Sequence, residues 1–101
     1  MTTTNNSGHI EVRSLTDPAL LGDRVLLVFQ MEDDATPPFK VKVWAPSGKM
    51  IVDVVLRELP TGRPQGAAPV SFMPSTPGAY RIEVTQLQGK MRGDATLTVV
   101  S

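Results

Sequence analysis

The stretch FMPSTPGAYRIEV, residues 72–84, decides the fold class of this chain. Its first part ends a strand, because Pro74 and Pro77 cannot donate to a ladder and Gly78 favours a turn. From Tyr80 onward, apolar and polar side chains alternate strictly, which is the period of a half-buried strand. This stretch therefore predicts a strand, a proline–glycine corner, and a new strand with a tyrosine at its entrance.

Period-2 patterns predict five further strands, all short and separated by turns or loops, most of which contain glycine or proline. No stretch of useful length has helical periodicity, so the pattern favours an antiparallel sandwich over a parallel α/β sheet. The seven predicted strands are 9–13, 24–32, 39–44, 50–59, 70–72, 80–86 and 95–99. Residues 1–8 are small, polar and unpatterned, which predicts a disordered leader before one domain over 9–101.

The composition excludes several classes of partner. The chain has 101 residues, enough for one domain with one core, and ten acidic residues balance ten basic ones. Nucleic acids and anionic membranes favour a basic excess, so we expect neither as a partner. No apolar run approaches the roughly 20 residues that span a bilayer, which predicts no membrane span. Zero net charge gives little colloidal repulsion and favours self-association.

Cysteine usage and the first residues bear on the compartment. The chain contains no cysteine, which suits a reducing compartment or a bacterial protein. Residues 1–8 have neither the basic nor the apolar region of a signal peptide. We therefore expect a cytoplasmic protein, unless the chain is a fragment of a larger secreted or surface protein.

Two blocks of sequence resemble one known family. The spacing aromatic-x-Pro-x-x-x-Gly-x-Tyr-x-Ile-x-Val over 72–84 resembles the segment between strands E and F of filamin-type immunoglobulin repeats. The sequence APSGK at 45–49, followed by alternating Val52 and Val54, resembles the Pro-Ser-Gly turn and D strand of the same repeats. This resemblance implies an all-β, seven-stranded antiparallel immunoglobulin-like β-sandwich.

Two departures from the family pattern point to a relative of these repeats. Gly93 is followed by Asp-Ala-Thr-Leu, where filamin repeats usually have Gly-Ser-Pro-Phe before the last strand. The connection 60–69 is longer than the family's short Asp-Gly turn. A bacterial, viral or accessory immunoglobulin-like domain therefore stays open as an interpretation.

The residues for catalysis are scarce. His9 is the only histidine and begins the first predicted strand, so a Ser-His-Asp triad would depend on an imidazole at a frayed end. The HExxH, P-loop and GxGxxG motifs are absent from the sequence. We expect a protein that is not an enzyme and needs no cofactor.

One acidic cluster, Glu32, Asp33 and Asp34, provides hard oxygen ligands. If folding brings Asp17 or Asp23 near, such carboxylates are the type that binds calcium. Adjacent acids at a strand end are also typical of a solvated turn, and the alternating spacing of a calcium loop is missing. The sequence therefore predicts no metal site and names these three residues as candidates if calcium binds.

Trp44 shares its phase with Lys40 and Lys42, opposite the core positions of the same strand. One interpretation is that a bulge or the strand end lets the ring fold over the sandwich edge. The other is an outward aromatic anchor, a residue type enriched at binding hot spots. Both interpretations stay open at this point.

The strand 50–59 is apolar in both phases, since Ile51 and Val55 alternate with Val52 and Val54. Burial on one side does not require this, so either a partner or the 60–69 loop covers the second face. In filamin-like sandwiches the C and D strands lie at facing sheet edges, and their groove accepts a partner strand. The resemblance therefore implies β-strand augmentation at the C–D edge, lined by Lys40, Lys42, Trp44, Ile51 and Val55.

These observations predict a non-catalytic interaction or spacer module that binds a protein or peptide strand, or pairs with itself as a homodimer. The alternatives are a carbohydrate- or surface-binding sandwich, in which Trp44 stacks on a sugar and loop acids hold calcium, and an accessory domain of a larger enzyme. Tyr80 is expected to be structural, with its ring in the core and its hydroxyl bonded to the backbone of the corner.

Overall fold

The structure is a computed structural model that describes residues 3–8, 10–15, 19–30, 36–57 and 69–101. Over these ranges the chain forms nine strands and no helix. The strands are β1 Thr3–Gly8, β2 Glu11–Ser14, β3 Ala19–Leu20, β4 Val25–Gln30, β5 Phe39–Trp44, β6 Met50–Leu56, β7 Val70–Phe72, β8 Gly78–Gln86 and β9 Arg92–Val100. Each of the seven predicted strands overlaps one of these, while β1 and β3 are additional.

The strands form two sheets. The larger has the order β1-β9-β8-β5-β6, with β3 also paired to β9, and the smaller has the order β2-β4-β7. All pairs are antiparallel except the short β3–β9 pair, in which Ala19 lies opposite Val99. The prediction of an all-β chain with two sheets of mainly antiparallel strands is confirmed, and the strand count exceeds seven.

Alternation along the strands builds one hydrophobic core. In β4 and β5 every second side chain is buried and the residues between them are exposed or half-buried. This follows from the strand period of two, which sends successive side chains to opposite faces. The buried cluster includes Val25, Leu27 and Phe29 of β4, Phe39, Val41 and Val43 of β5, and Tyr80, Ile82 and Val84 of β8.

The corner before β8 is held by Tyr80. Its hydroxyl donates to the carbonyl oxygen of Thr76 at 2.7 Å, the residue is 1% exposed, and its ring centroid lies 5.6 Å from that of Phe72. Gly78 has φ +131°, a conformation that side chains rarely adopt. The expectation of a structural tyrosine with a backbone hydrogen bond is confirmed.

Residues 3–8 form a strand, in place of that part of the expected disordered leader 1–8. Thr3–Gly8 pairs antiparallel with β9, from Thr3 opposite Leu97 to Gly8 opposite Gly93. Main-chain hydrogen bonds to an open sheet edge need no apolar alternation, so a reading of side-chain periodicity does not detect such a strand. Together β1 and β3 pair with the β9 edge that would otherwise be open.

The strands β5 and β6 do not lie at facing sheet edges, which corrects the expected C–D groove. A tight turn joins them, with the Ala45 amide donating to the Lys49 carbonyl at 2.8 Å and Gly48 at φ +91°. Because such a turn makes consecutive strands neighbours in one sheet, β5 lies between β8 and β6. Of the two strands expected to line the groove, only β6 therefore has an edge with which no described strand pairs.

Candidate functional site at the free edge of the larger sheet

The strand β6 ends the larger sheet. It pairs with β5 on one side, and no strand described in the structure pairs with its other side. Over its seven residues, that second side presents main-chain N–H and C=O groups as a template for another strand. Its sequence, MIVDVVL, contains the β-branched residues that favour strands and one charge, Asp53.

Both faces of β6 expose apolar side chains. Met50, Ile51, Val54 and Val55 are 39–44% exposed. Val54 lies opposite Val41, on the face turned toward the core, whereas Val55 lies opposite Lys40, on the outer face of the larger sheet. Every side chain of β6 is exposed or half-buried, because the buried cluster does not extend to this strand and only Val52 and Leu56 pack against it. This clustering of exposed apolar residues distinguishes β6.

The predicted site residues come together only in part. Lys40 lies opposite Val55, and Lys42 lies opposite Asp53, so these side chains share the outer face. The Lys40 ammonium is 3.4 Å from an Asp53 carboxylate oxygen, a contact that sequence reasoning missed. Because β5 is paired on both sides, Lys40 and Lys42 can offer a partner their side chains but no free main-chain ladder.

Ile51 occupies a special position. Val43 lies opposite Val52 and Trp44 lies opposite Met50, so Ile51 is an extra residue in β6 at a β-bulge. Bulges twist a strand edge and interrupt its ladder, which is one way that proteins blunt exposed edges. The regular part of the free edge is therefore Val52–Leu56, and Ile51 does not simply share the phase of Val55.

Trp44 is half-buried on the outer face and lies beside the same bulge. It pairs in register with Arg81 of β8, whose guanidinium carbon is 5.2 Å from the ring centroid, a cation–π contact. Arg81 also lies 3.4 Å from the carboxylates of Glu83 and Asp94. Trp44 therefore contacts a cation of its own chain, and the adjoining outer face is covered with internally paired charges.

The remaining candidates fall outside the described residues. This holds for His9, Asp17, the acidic cluster Glu32, Asp33 and Asp34, and most of the 60–69 loop. Within the described part of the chain, no group of three histidine, aspartate, glutamate or cysteine residues could hold a metal. The described residues likewise include no helix with the length and hydropathy of a membrane span.

Comparisons of the chain with protein-family models, with curated proteins and with solved structures find no match.

Proposed function

We propose that this chain is a non-catalytic protein-interaction module, related to immunoglobulin-like sandwiches, that binds an extended strand of a protein partner along the free edge of β6. The observation that carries the proposal is that β6 is terminal among the described strands of its sheet and exposes apolar side chains on both faces. An added strand satisfies the unpaired main-chain groups and covers these side chains at the same time.

The immunoglobulin-like relationship is supported by the corner and by the strand order. The Tyr80 hydroxyl bonds to the backbone four residues upstream, which is the geometry of the tyrosine corner. The small sheet β2-β4-β7 and the neighbours β5, β8 and β9 match the pairing of such sandwiches. The position of β6 beside β5 favours a relative of the family over a rod repeat with a groove between two edges.

Affinity and selectivity have separate sources in this mechanism. Main-chain hydrogen bonds along Val52–Leu56 supply an attraction that depends little on the partner's sequence. Selectivity comes from the two faces: Val55, Lys40 and Lys42 on the outer face, and Val54 on the inner face. A partner strand with apolar residues in both phases fits this edge.

The test is titration of the labelled protein with a short peptide whose central valines occupy both phases of a strand and whose terminal lysines keep it soluble in water. We expect amide chemical-shift changes in Val52–Leu56, together with slower amide exchange there. Val54→Lys should abolish both effects, because an inward-pointing charge blocks strand pairing. Its matched control is Val100→Lys, which alters a similarly exposed valine on β9. The proposal would be contradicted if the peptide caused the same shift changes in the Val54→Lys variant, or if the changes lay on other strands.

The carbohydrate-binding alternative receives less support from the geometry. Arg81 lies over the Trp44 ring, where a sugar would stack, and the acidic loop is outside the described residues. An accessory domain of a larger enzyme would use the same free edge, so that alternative stays a prediction about the protein's context.

A further inference from the structure

One acid and one base, Asp53 and Arg57, lie four residues apart along the free edge and its end. Asp53 and Val55 point to the outer face, opposite Lys42 and Lys40. Arg57, which is exposed, lies at the bend that directly follows β6, and a partner strand that extends the ladder by one residue would bring it to the same face by alternation. The outer face of this edge therefore reads acid, valine, base at steps of two residues.

This pattern is self-complementary in an antiparallel pair. When two identical strands pair about a two-fold axis, residues equally distant from the axis on the two copies lie opposite each other. An axis at Asp53 brings two carboxylates together, which is unfavourable. An axis at Val55 instead places Asp53 opposite Arg57 of the second copy, and does so twice.

We infer that the strand that binds β6 is β6 of a second copy of this chain, paired antiparallel about a two-fold axis at Val55. The inference rests on the proposed function and names its partner. In this register Val55 faces Val55, and Val54 faces Leu56 on both sides of the axis. The exposed valines are covered by apolar groups, and each carboxylate meets a guanidinium.

The bulge excludes the other charge-matched register. Lys49 is also four residues from Asp53, and an axis at Ile51 would pair them. However, the extra residue at Ile51 breaks the alternation between these positions, since Met50 lies opposite Trp44 while Val52 lies opposite Val43. Lys49 and Asp53 therefore do not share a face, whereas Asp53 and Arg57 are separated by regular strand.

The surroundings of Asp53 favour this contact. The Lys40 ammonium reaches Asp53 from within its own sheet at 3.4 Å, and the carboxylate remains 47% exposed. A carboxylate has room for a second cationic donor, so it can bridge Lys40 and the incoming arginine. The zero net charge of the chain adds no long-range repulsion between copies.

The pairing is short, so the dimer should be weak and reversible. The regular edge Val52–Leu56 with Arg57 forms a small contact, of the size that characterises transient complexes. We expect a monomer–dimer equilibrium that is visible between micromolar and millimolar protein by sedimentation equilibrium.

Reciprocal charge reversal tests the register. Asp53→Arg alone faces Arg57 with a like charge, and Arg57→Asp alone faces Asp53 with one, so each variant should dimerise roughly tenfold or more weakly. Mixing the two variants restores both opposite-charge pairs between copies and should give stronger association than either variant alone, as should the double variant D53R/R57D. Arg92→Asp is the control for Arg57→Asp, because it makes the same charge change at an exposed residue of β9. Thermal melting checks that each variant folds.

Three results would overturn the inference: a wild type that stays monomeric, association that neither single variant weakens, or a mixture that does not recover. A monomeric wild type whose β6 amides still respond to the valine peptide would overturn the second copy as partner and leave the proposed function standing. Loss of the peptide response as well would remove both.

Discussion

The corner 72–80 and the strand β6 both contain large apolar side chains, but Tyr80 of the corner is buried, whereas several of those in β6 are exposed. In the corner, Tyr80 is 1% exposed, and its hydroxyl and ring find their partners inside the chain. In β6, Val54 and Val55 belong to a strand that is no less apolar, yet they are 39% and 44% exposed. The difference teaches that position in the sheet, and not apolar character alone, separates the buried scaffold from the proposed binding surface in this protein.

The largest effect is expected at the corner. Tyr80→Ala removes a buried ring and its hydrogen bond, and should lower the free energy of unfolding by about 3–5 kcal/mol in urea titrations. Tyr80→Phe is the matched variant, since it removes only the hydroxyl and should cost about 1 kcal/mol. If Tyr80→Ala cost no more than Tyr80→Phe, the ring would not contribute to the core as described.

A smaller loss is expected at the glycine of the same corner. Gly78→Ala should cost about 1–3 kcal/mol, because the residue has φ +131° and a Cβ would lie 2.9 Å from the Pro46 side chain. Gly48→Ala is the comparison, since φ is +91° there and a Cβ would meet no described group within 4 Å beyond its chain neighbours. The extra cost at Gly78, measured by chemical unfolding, reports the contact that joins the corner to the β5–β6 turn. Equal costs would show that this contact is unimportant.

The outer face of the larger sheet should contribute to the free energy of unfolding less than the corner and more than the edge. Arg81→Ala removes the cation–π contact with Trp44 and two exposed ion pairs, with an expected loss of about 0.5–1 kcal/mol. Trp44 fluorescence should change in the folded protein, because the charge next to its ring is gone. Arg13→Ala, which removes an exposed ion pair with Glu11, should leave that fluorescence unaltered.

The smallest effect on stability, and the largest on binding, belongs to β6. Val54→Lys should change the free energy of unfolding by no more than about 0.5 kcal/mol, since surface substitutions at exposed sites are usually that mild. The same variant should lose strand addition, as measured by peptide titration and sedimentation. A loss of stability comparable to that of Tyr80→Ala would show that β6 belongs to the core and that the corner and the edge do not differ in this respect.

Part of the fold could be predicted because it depends on patterns among residues that are close in sequence. Alternation in β4, β5 and β8 and the proline–glycine corner are properties of neighbouring residues, so the seven main strands and the role of Tyr80 followed from them. The strand β1 could not be predicted in this way, because it is held to β9 by main-chain pairing and its sequence has no apolar alternation.

The candidate site was predicted less completely. The sequence showed that β6 is apolar in both phases, and residue type and strand phase together with the family resemblance predicted the site residues Lys40, Lys42, Trp44, Ile51 and Val55. Pairing across strands decided the rest: it linked Asp53 to Lys40, gave Trp44 a cation from β8 and placed the bulge at Ile51.

The sequence by itself determined that the chain alternates into strands, turns at the corner, and carries an apolar strand with an acid and a base four residues apart. Only the tertiary structure decided that β6 ends its sheet, that β5 is enclosed between two neighbours, and that the bulge separates Lys49 from Asp53. The physical reason is that alternation assigns a side chain to a face, whereas the neighbours on each side of a strand depend on hydrogen bonds between distant segments.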